Sequence, residues 1–203
     1  MENNPLRLAG VLLAGGQSKR MGQDKASLPL GSQSLLGQIL QTTLPWVEQL
    51  LLVLGPGQRF DPRLATKSPK IHLITDPKPH LGPLYALGEV SSFLKADLDG
   101  VLVLSCDLPY LTADFLAELV ALKERAEVAA ASWDGIINPL LAIYDPLVLR
   151  SAKKSYRAGE TRAKSLLIGP QVKCLENRPE ARGINTPEDY QAALKELFQT
   201  GLG

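Results

Sequence analysis

A chain of 203 residues with 22 basic and 21 acidic side chains, formal charge +1, is long enough for an α/β domain with a substantial core. It lacks the clustered basic excess of nucleic-acid binders, so any phosphate recognition rests on a few placed groups rather than on a global field. Two cysteines, Cys106 and Cys174, lie far apart in no metal-ligand spacing, which argues against a disulfide framework and fits a reducing cytosol.

In chain order, Met1-Glu2-Asn3-Asn4-Pro5 has no basic n-region, and the apolar stretch Leu8 to Ala14 is too short to span a bilayer. Nothing marks export or membrane insertion, and a cytoplasmic location is expected. The short apolar runs Leu8–Leu13, Leu50–Leu54, Ile71–Ile74 and Val101–Leu104, bounded by Gly, Pro and Asp, read as buried parallel strands. Helical patterns lie between them. Leu84, Leu87 and Leu94 share a face after Gly82-Pro83, and Leu116, Leu119 and Val120 do so after an N-cap at Thr112. A last helix is capped by Thr186, starts at Pro187 and carries Glu188 and Asp189 in its first turn. Its apolar stripe is Tyr190, Ala193, Leu194, Leu197 and Phe198. The alternation predicts an α/β fold of three layers, a mainly parallel central sheet with helices on both faces. Ligands of such sheets bind beyond the carboxyl ends of the strands.

The chemistry-bearing residues fall at those ends. After the first strand, Ala14, Gly15, Gly16 and Gly22 let backbone N–H groups approach anionic oxygens closely, and Arg20 and Lys25 add positive charge. Lys25 is read as a surface cation on this loop. The pattern is no Walker loop, since Met21 stands five after Gly16 and Ala26 follows Lys25. It is no dinucleotide fingerprint either, because Gly15 and Gly16 are adjacent. Asp107, just past Val101–Leu104, is placed either to hold Mg²⁺ against phosphate oxygens or to cap the turn before Pro109. Cys106 reads as a small buried residue with no chemistry. His72 and His80 are not read as metal ligands, and Trp46 and Trp133 read as packing or rim residues. No Ser-His-Asp arrangement is present.

The segment Leu13-Ala-Gly-Gly-x-Ser-x-Arg-Met-Gly-x-Asp-Lys25-Ala resembles the signature of the molybdenum cofactor guanylyltransferases, within the wider sugar-nucleotide pyrophosphorylase-like fold. So do Cys106-Asp107-Leu108-Pro109-Tyr110, Asp76 with Gly82-Pro83-Leu84, Asn138–Tyr144, Gly159–Arg162 with Leu166-Leu167, and Gly183–Asp189. These occur in family order from about residue 8 to 198. The resemblance implies a single nucleotidyltransferase domain over 1–203. It implies nucleotide binding by Leu13, Ala14, Gly15, Gly16, Gly22, Lys25, Asp76 and Asp107, and Mg²⁺ on Asp107. Gly82 and Asn185 would serve the acceptor. Two positions depart from the pattern: Ala86, where a glycine often stands, and Gly183, where the family has the first of two asparagines.

The reaction implied is attack by a phosphate of molybdopterin, or its molybdenum-loaded form, on the α-phosphate of GTP with release of pyrophosphate. Arg20 and Lys25 would neutralise charge and Asp107 would place the metal. Neither nucleic acid nor a membrane is expected as partner, and the resemblance leaves room for transient contacts with molybdenum-cofactor biosynthesis or acceptor proteins. Transfer of another nucleotide, cytidylyl or uridylyl, to molybdopterin, a sugar phosphate or a terpenoid precursor shares these features. A nucleotide-binding regulator without turnover is the reading from another class, and retention of both Lys25 and Asp107 argues against it.

Overall fold

Six consecutive apolar residues without alternation form a strand that must be covered on both faces, and this is what Leu8–Leu13 does. In the computed structural model, which describes residues 6–15, 21, 24–58, 61–76, 78 and 81–200, these residues form β1, every one buried. A small antiparallel pair follows, β2 (Pro29–Leu30) and β3 (Gln33–Ser34). Ser34 then caps α1 (Leu35–Thr43), its Oγ accepting from Gly37 N at 3.1 Å. The chain continues through β4 (Gln49–Leu54), α2 (Pro62–Ala65), β5 (Ile71–Thr75), α3 (Pro83–Val90), β6 (Gly100–Ser105) and α4 (Ala113–Lys123). It ends with β7 (Val128–Trp133), β8 (Ile136–Tyr144), α5 (Pro146–Arg150), α6 (Ala152–Arg157), β9 (Val172–Leu175) and α7 (Pro187–Thr200).

The main sheet has seven strands in the order β5-β4-β1-β6-β8-β7-β9, and every pairing is parallel except those of β8 with β6 and β7. Strand alternation splits the core in two. Leu8, Leu12, Leu50, Leu52, Leu102 and Leu104 pack with Ile39 and Leu40 of α1, Phe115 and Leu119 of α4, and Ala193 and Leu197 of α7. Val11, Val53, Val101 and Val103 face the other way, against Leu84 and Leu87 of α3, Leu149 of α5 and Ala152 of α6. The layers are those expected from the sequence: helix, mainly parallel sheet, helix. Among the described residues no helix is long and apolar enough to cross a membrane.

Four expectations change. Ile71–Ile74 is an edge strand rather than a buried one: Ile71 and Ile74 are half-buried while Leu73 is 48% exposed. Leu94 lies beyond the end of α3, yet still packs on the second core face. Phe198 points outward at 64% exposure, so the last helix buries Ala193 and Leu197 but not the whole stripe. Three strands, β7, β8 and β9, arise that the sequence reading does not name, and of these only β8 overlaps a family segment, Asn138–Tyr144. The first two form a hairpin across Asp134-Gly135, with φ of 49° and 71°, and an Asp-Gly pair between apolar runs is the sequence signal for such a turn.

Candidate functional site

Strand β1 lies between β4, which follows it in the chain, and β6, which arrives from the opposite direction along the sheet. That reversal opens a crevice at the carboxyl ends of β1, β4 and β6. The three exits are laced together. Ala14 N and Gly15 N both donate to Val53 O, at 2.9 and 3.0 Å, and Cys106 N donates to Leu13 O at 3.1 Å. At Gly15 a Cβ would stand 2.7 Å from Gly55 N, so the two loops approach too closely for any side chain there. Of the loop residues named from the sequence, Gly16, Arg20 and Gly22 lie outside the described residues, as does His80. Leu13 and Ala14 are buried, the one closing the strand and the other opening the turn.

Lys25 enters a single 3-10 turn, Lys25–Ser27, whose N-cap is Asp24: Oδ1 accepts from Ala26 N at 3.0 Å. From there its Nζ donates to Asp107 Oδ2 at 3.3 Å and to Asn185 Oδ1 at 3.1 Å. Residues 25, 107 and 185, each named on a separate motif, therefore meet. Lys25 is not the surface cation expected, because its side chain is only 15% exposed, and that of Asp107 23%. The loop after β6 folds back so that Ser105 Oγ donates to Asp107 Oδ1 at 2.6 Å. Among the described residues, the partners of this carboxylate are side chains, not the amides of the turn before Pro109.

Asn185 is fixed from behind. The Asp189 carboxylate accepts from Asn185 N at 2.8 Å and Thr186 N at 2.9 Å, while Asp189 N donates to Thr186 Oγ1 at 3.2 Å, a reciprocal cap on α7. The Asn185 amide, with Thr186 and the nearby Lys25 charge, holds the Asp189 carboxyl below its usual range. Ile184 N donates to the Asp107 carbonyl at 2.9 Å. Gly183 lies flat against Asp107, where a Cβ would be 3.3 Å from Oδ2, so an asparagine side chain at 183 would crowd this carboxylate.

Cys106, between these groups, is sealed by burial, which pushes its thiol up to about 12. It is inert as a nucleophile. Among the described residues no three His, Cys, Asp or Glu side chains are placed to hold a metal alone. One carboxylate with acceptor positions to spare beside Ser105 and Lys25 does fit Mg²⁺, which takes one or two protein oxygens and completes its shell with phosphates and water.

Asp76 and Gly82 are not joined to this cluster by any hydrogen bond among the described residues, and Asp76 follows β5, two strands from β1. Asp76 N donates to Leu54 O at 2.8 Å, and its Oδ1 accepts from Lys78 N at 3.0 Å in a local turn. Gly82 opens α3 at φ 90°, against Thr161 O of the Gly159–Arg162 segment. Ala86, on α3, is buried in the second core cluster.

Beyond the Asp107 loop, Arg182 and Glu196, which the sequence does not single out, cluster with Tyr110 and Trp133. Arg182 forms two bonds to Glu196, at 2.9 and 3.2 Å, and its guanidinium lies 4.8 Å from the Tyr110 ring and 5.4 Å from that of Trp133. Tyr110 OH donates to the same Glu196 at 2.8 Å, and burial, then this carboxylate, pushes its phenol up to about 12. The cluster joins the Asp107 loop, the β7–β8 hairpin and α7, and Trp133, 40% exposed, packs against Arg182 in it. None of its members is close to another in sequence, so only the tertiary fold brings them together.

A probable molybdenum cofactor guanylyltransferase of Mycobacterium ulcerans (strain Agy99) is 30% identical over 201 residues, covering 96% of each chain. The crystal structure of molybdopterin-guanine dinucleotide biosynthesis protein A from Archaeoglobus fulgidus superposes with a TM-score of 0.70 at 19% identity, over 94% of this chain and 99% of that one. The 2-C-methyl-D-erythritol 4-phosphate cytidylyltransferase of Thermus thermophilus does so at 0.67 and 18% identity, over 93% and 98%, and shares the fold. A family model described as a MobA-like NTP transferase domain matches residues 10–174. The chain belongs to the MobA-like NTP transferase family of nucleotidyltransferases.

Proposed function

We propose that this protein transfers GMP from GTP to molybdopterin, metal-free or molybdenum-loaded, in a Mg²⁺-dependent reaction that releases pyrophosphate. The observation that carries the reading is the meeting of Lys25, Asp107 and Asn185 beside the Gly15 turn, at the carboxyl edge of the sheet. A phosphate oxygen of the acceptor attacks the α-phosphorus of GTP, a new P–O bond forms, and the bond to the bridging oxygen of the β-phosphate breaks. The acceptor oxygen is already anionic, so no protein nucleophile is required, in keeping with the buried thiol of Cys106.

The work of the chain is alignment and charge compensation. Leu13, Ala14, Gly15, Gly16 and Gly22 would bind the nucleotide and its phosphates through their backbone, and Asp76 would flank the nucleotide. Lys25 shifts its ammonium from Asp107 toward the α- and β-phosphates, and Arg20 adds a second positive charge. Gly82 and Asn185 bound the acceptor side. A Mg²⁺ ion held by Asp107 would supply charge neutralisation at the phosphate oxygens. A cytoplasmic location and contacts with other proteins of molybdenum-cofactor assembly accompany this reading.

The test is pyrophosphate release from GTP, ATP, CTP and UTP with purified protein, molybdopterin and Mg²⁺, together with equilibrium titration of the four nucleotides. The expected result is turnover with GTP and tightest binding of GTP. Preference for CTP would overturn guanylyl transfer and leave nucleotidyl transfer standing. Tight binding with no turnover would favour a regulator.

A further inference from the structure

Gln58 belongs to none of the motifs above, yet its carboxamide joins three parts of the site's frame. Its Oε1 accepts from Gly55 N at 2.9 Å, beyond β4. Its Nε2 donates to Ala14 O at 2.9 Å, at the exit of β1, and to the Asp24 carboxylate at 2.9 Å from Oδ2 and 3.1 Å from Oδ1. Both amide hydrogens and the carbonyl oxygen are used. The opposite orientation would turn an oxygen toward the Ala14 carbonyl and the Asp24 carboxylate, so the partners fix the side chain.

Asp24 is in turn the cap of the turn that carries Lys25. One amide therefore links the residue that opens the glycine-rich segment, Ala14, to the residue that precedes its functional lysine, Asp24. We propose that Gln58 is a positioning residue for nucleotidyl transfer: by tying Ala14 to Asp24 it sets the place from which Lys25 reaches the phosphates. This rests on the transfer reading above. Gln58 is only half-buried and lies outside both core clusters. Water can satisfy the groups it leaves, so its loss costs little stability while releasing the frame around Lys25.

Two single variants and one double variant test it, each with pyrophosphate-release kcat, KM for GTP and a melt on the same preparation. Gln58→Met keeps the length of the side chain and drops the amide, and kcat is expected to fall about tenfold with the melting temperature nearly unchanged. Gln58→Glu sets a carboxylate against Asp24 and the Ala14 carbonyl, and kcat should fall further, by about 100-fold. When Asp24→Asn is combined with Gln58→Glu, the new amide at position 24 donates to the new carboxylate and still accepts from Ala26 N, so at least tenfold of that loss should return. A purely structural role predicts losses that track the melting temperature, with no recovery in the double variant. Either that pattern, or kcat and KM within twofold of wild type in both single variants, overturns the assignment of Gln58 alone. Wild-type protein that releases pyrophosphate from none of the four triphosphates overturns the transfer reading and this proposal with it.

Discussion

Asp107→Asn gives opposite signs for nucleotide binding with and without metal, and so separates a metal-holding carboxylate from a structural one. The carboxylate lies 3.3 Å from Lys25 Nζ, an attraction of about 5 kcal/mol at an effective dielectric of about 20, before desolvation is charged against it. Asparagine keeps one oxygen, which can face Lys25 while its Nδ2 donates to Ser105 Oγ in place of the Oδ1 that accepted from it, and Lys25 retains Asn185 at 3.1 Å. The net stability loss is then about 1–2 kcal/mol, or roughly 2–8 °C of melting temperature for a chain of this size. Turnover should fall by about 100-fold, roughly 2.7 kcal/mol of barrier, with the Mg²⁺ midpoint moved to higher concentration. Without metal the sign reverses. The Asp107 charge repels a triphosphate and competes for Lys25, so the variant should bind metal-free GTP more tightly than wild type. Rates against Mg²⁺ concentration, titration of GTP in EDTA and a melt measure all three quantities. An unchanged rate with an unchanged Mg²⁺ midpoint would remove Asp107 from the metal site. Weaker GTP binding in EDTA would show its charge to be structural.

Lys25→Ala is expected to cut turnover by about 100-fold while costing about 1 kcal/mol of stability, more than a solvent-exposed lysine would, because its side chain is only 15% exposed. Normal specific activity in a protein that melts early would make Lys25 a packing residue. Gly15→Ala forces its new methyl group to within 2.7 Å of Gly55 N, so the β1 and β4 exits must separate. A stability loss of about 1–3 kcal/mol with weakened GTP binding is the expected outcome of calorimetry and titration, and an alanine variant with wild-type affinity would refute the close approach. The carboxyl of Asp189 is held below its usual range by the Asn185 and Thr186 amides, so its contribution is full above a pH of about 4 and is lost as pH falls through the lowered folded value. Melting temperature followed from pH 7 to 3 should therefore drop less steeply for Asp189→Asn than for wild type. Parallel curves would refute the link.

Where a sequence signal was local, it was readable. The continuous apolar run Leu8–Leu13, the cap at Thr112 and the reciprocal Thr186–Asp189 cap each depend on neighbours within a few residues, and each forms. Asp107 could be named because a polar residue just past a buried strand must lie at the sheet's edge, and Lys25 because it is a cation on the glycine-rich segment that follows β1. Their contact could not be foreseen, since 82 positions separate them and Asn185 lies 160 beyond Lys25. The exposure of Ile71–Ile74 was equally hidden: whether an apolar strand is central or at an edge depends on strand order, which no local pattern encodes. The hairpin of β7 and β8 is different, because Asp134-Gly135 between apolar runs is itself a local turn signal. Gln58 and Arg182 left no local trace, as their roles exist only across loops joined by the sheet.

The sheet register explains how such a site is held without a rigid cage. On β6, Leu102 and Leu104 face the first core cluster while Val101 and Val103 face the second, and burial on both sides resists a slip by one residue. The same alternation continues past the strand: Cys106 falls with the leucines and is buried, and Ser105 and Asp107 share the other parity and bond to each other. Pairing of Leu13 with Ser105 on one side and with Val53 on the other places the start of the glycine-rich loop beside both neighbouring exits. A slip by one residue in β6 would carry Cys106 into the position of Ser105 and turn Asp107 away from Lys25. The placement of the reactive groups is thus inherited from the pattern of Leu and Val in the strands, and conservative repacking of those strands should leave it intact as long as their register survives.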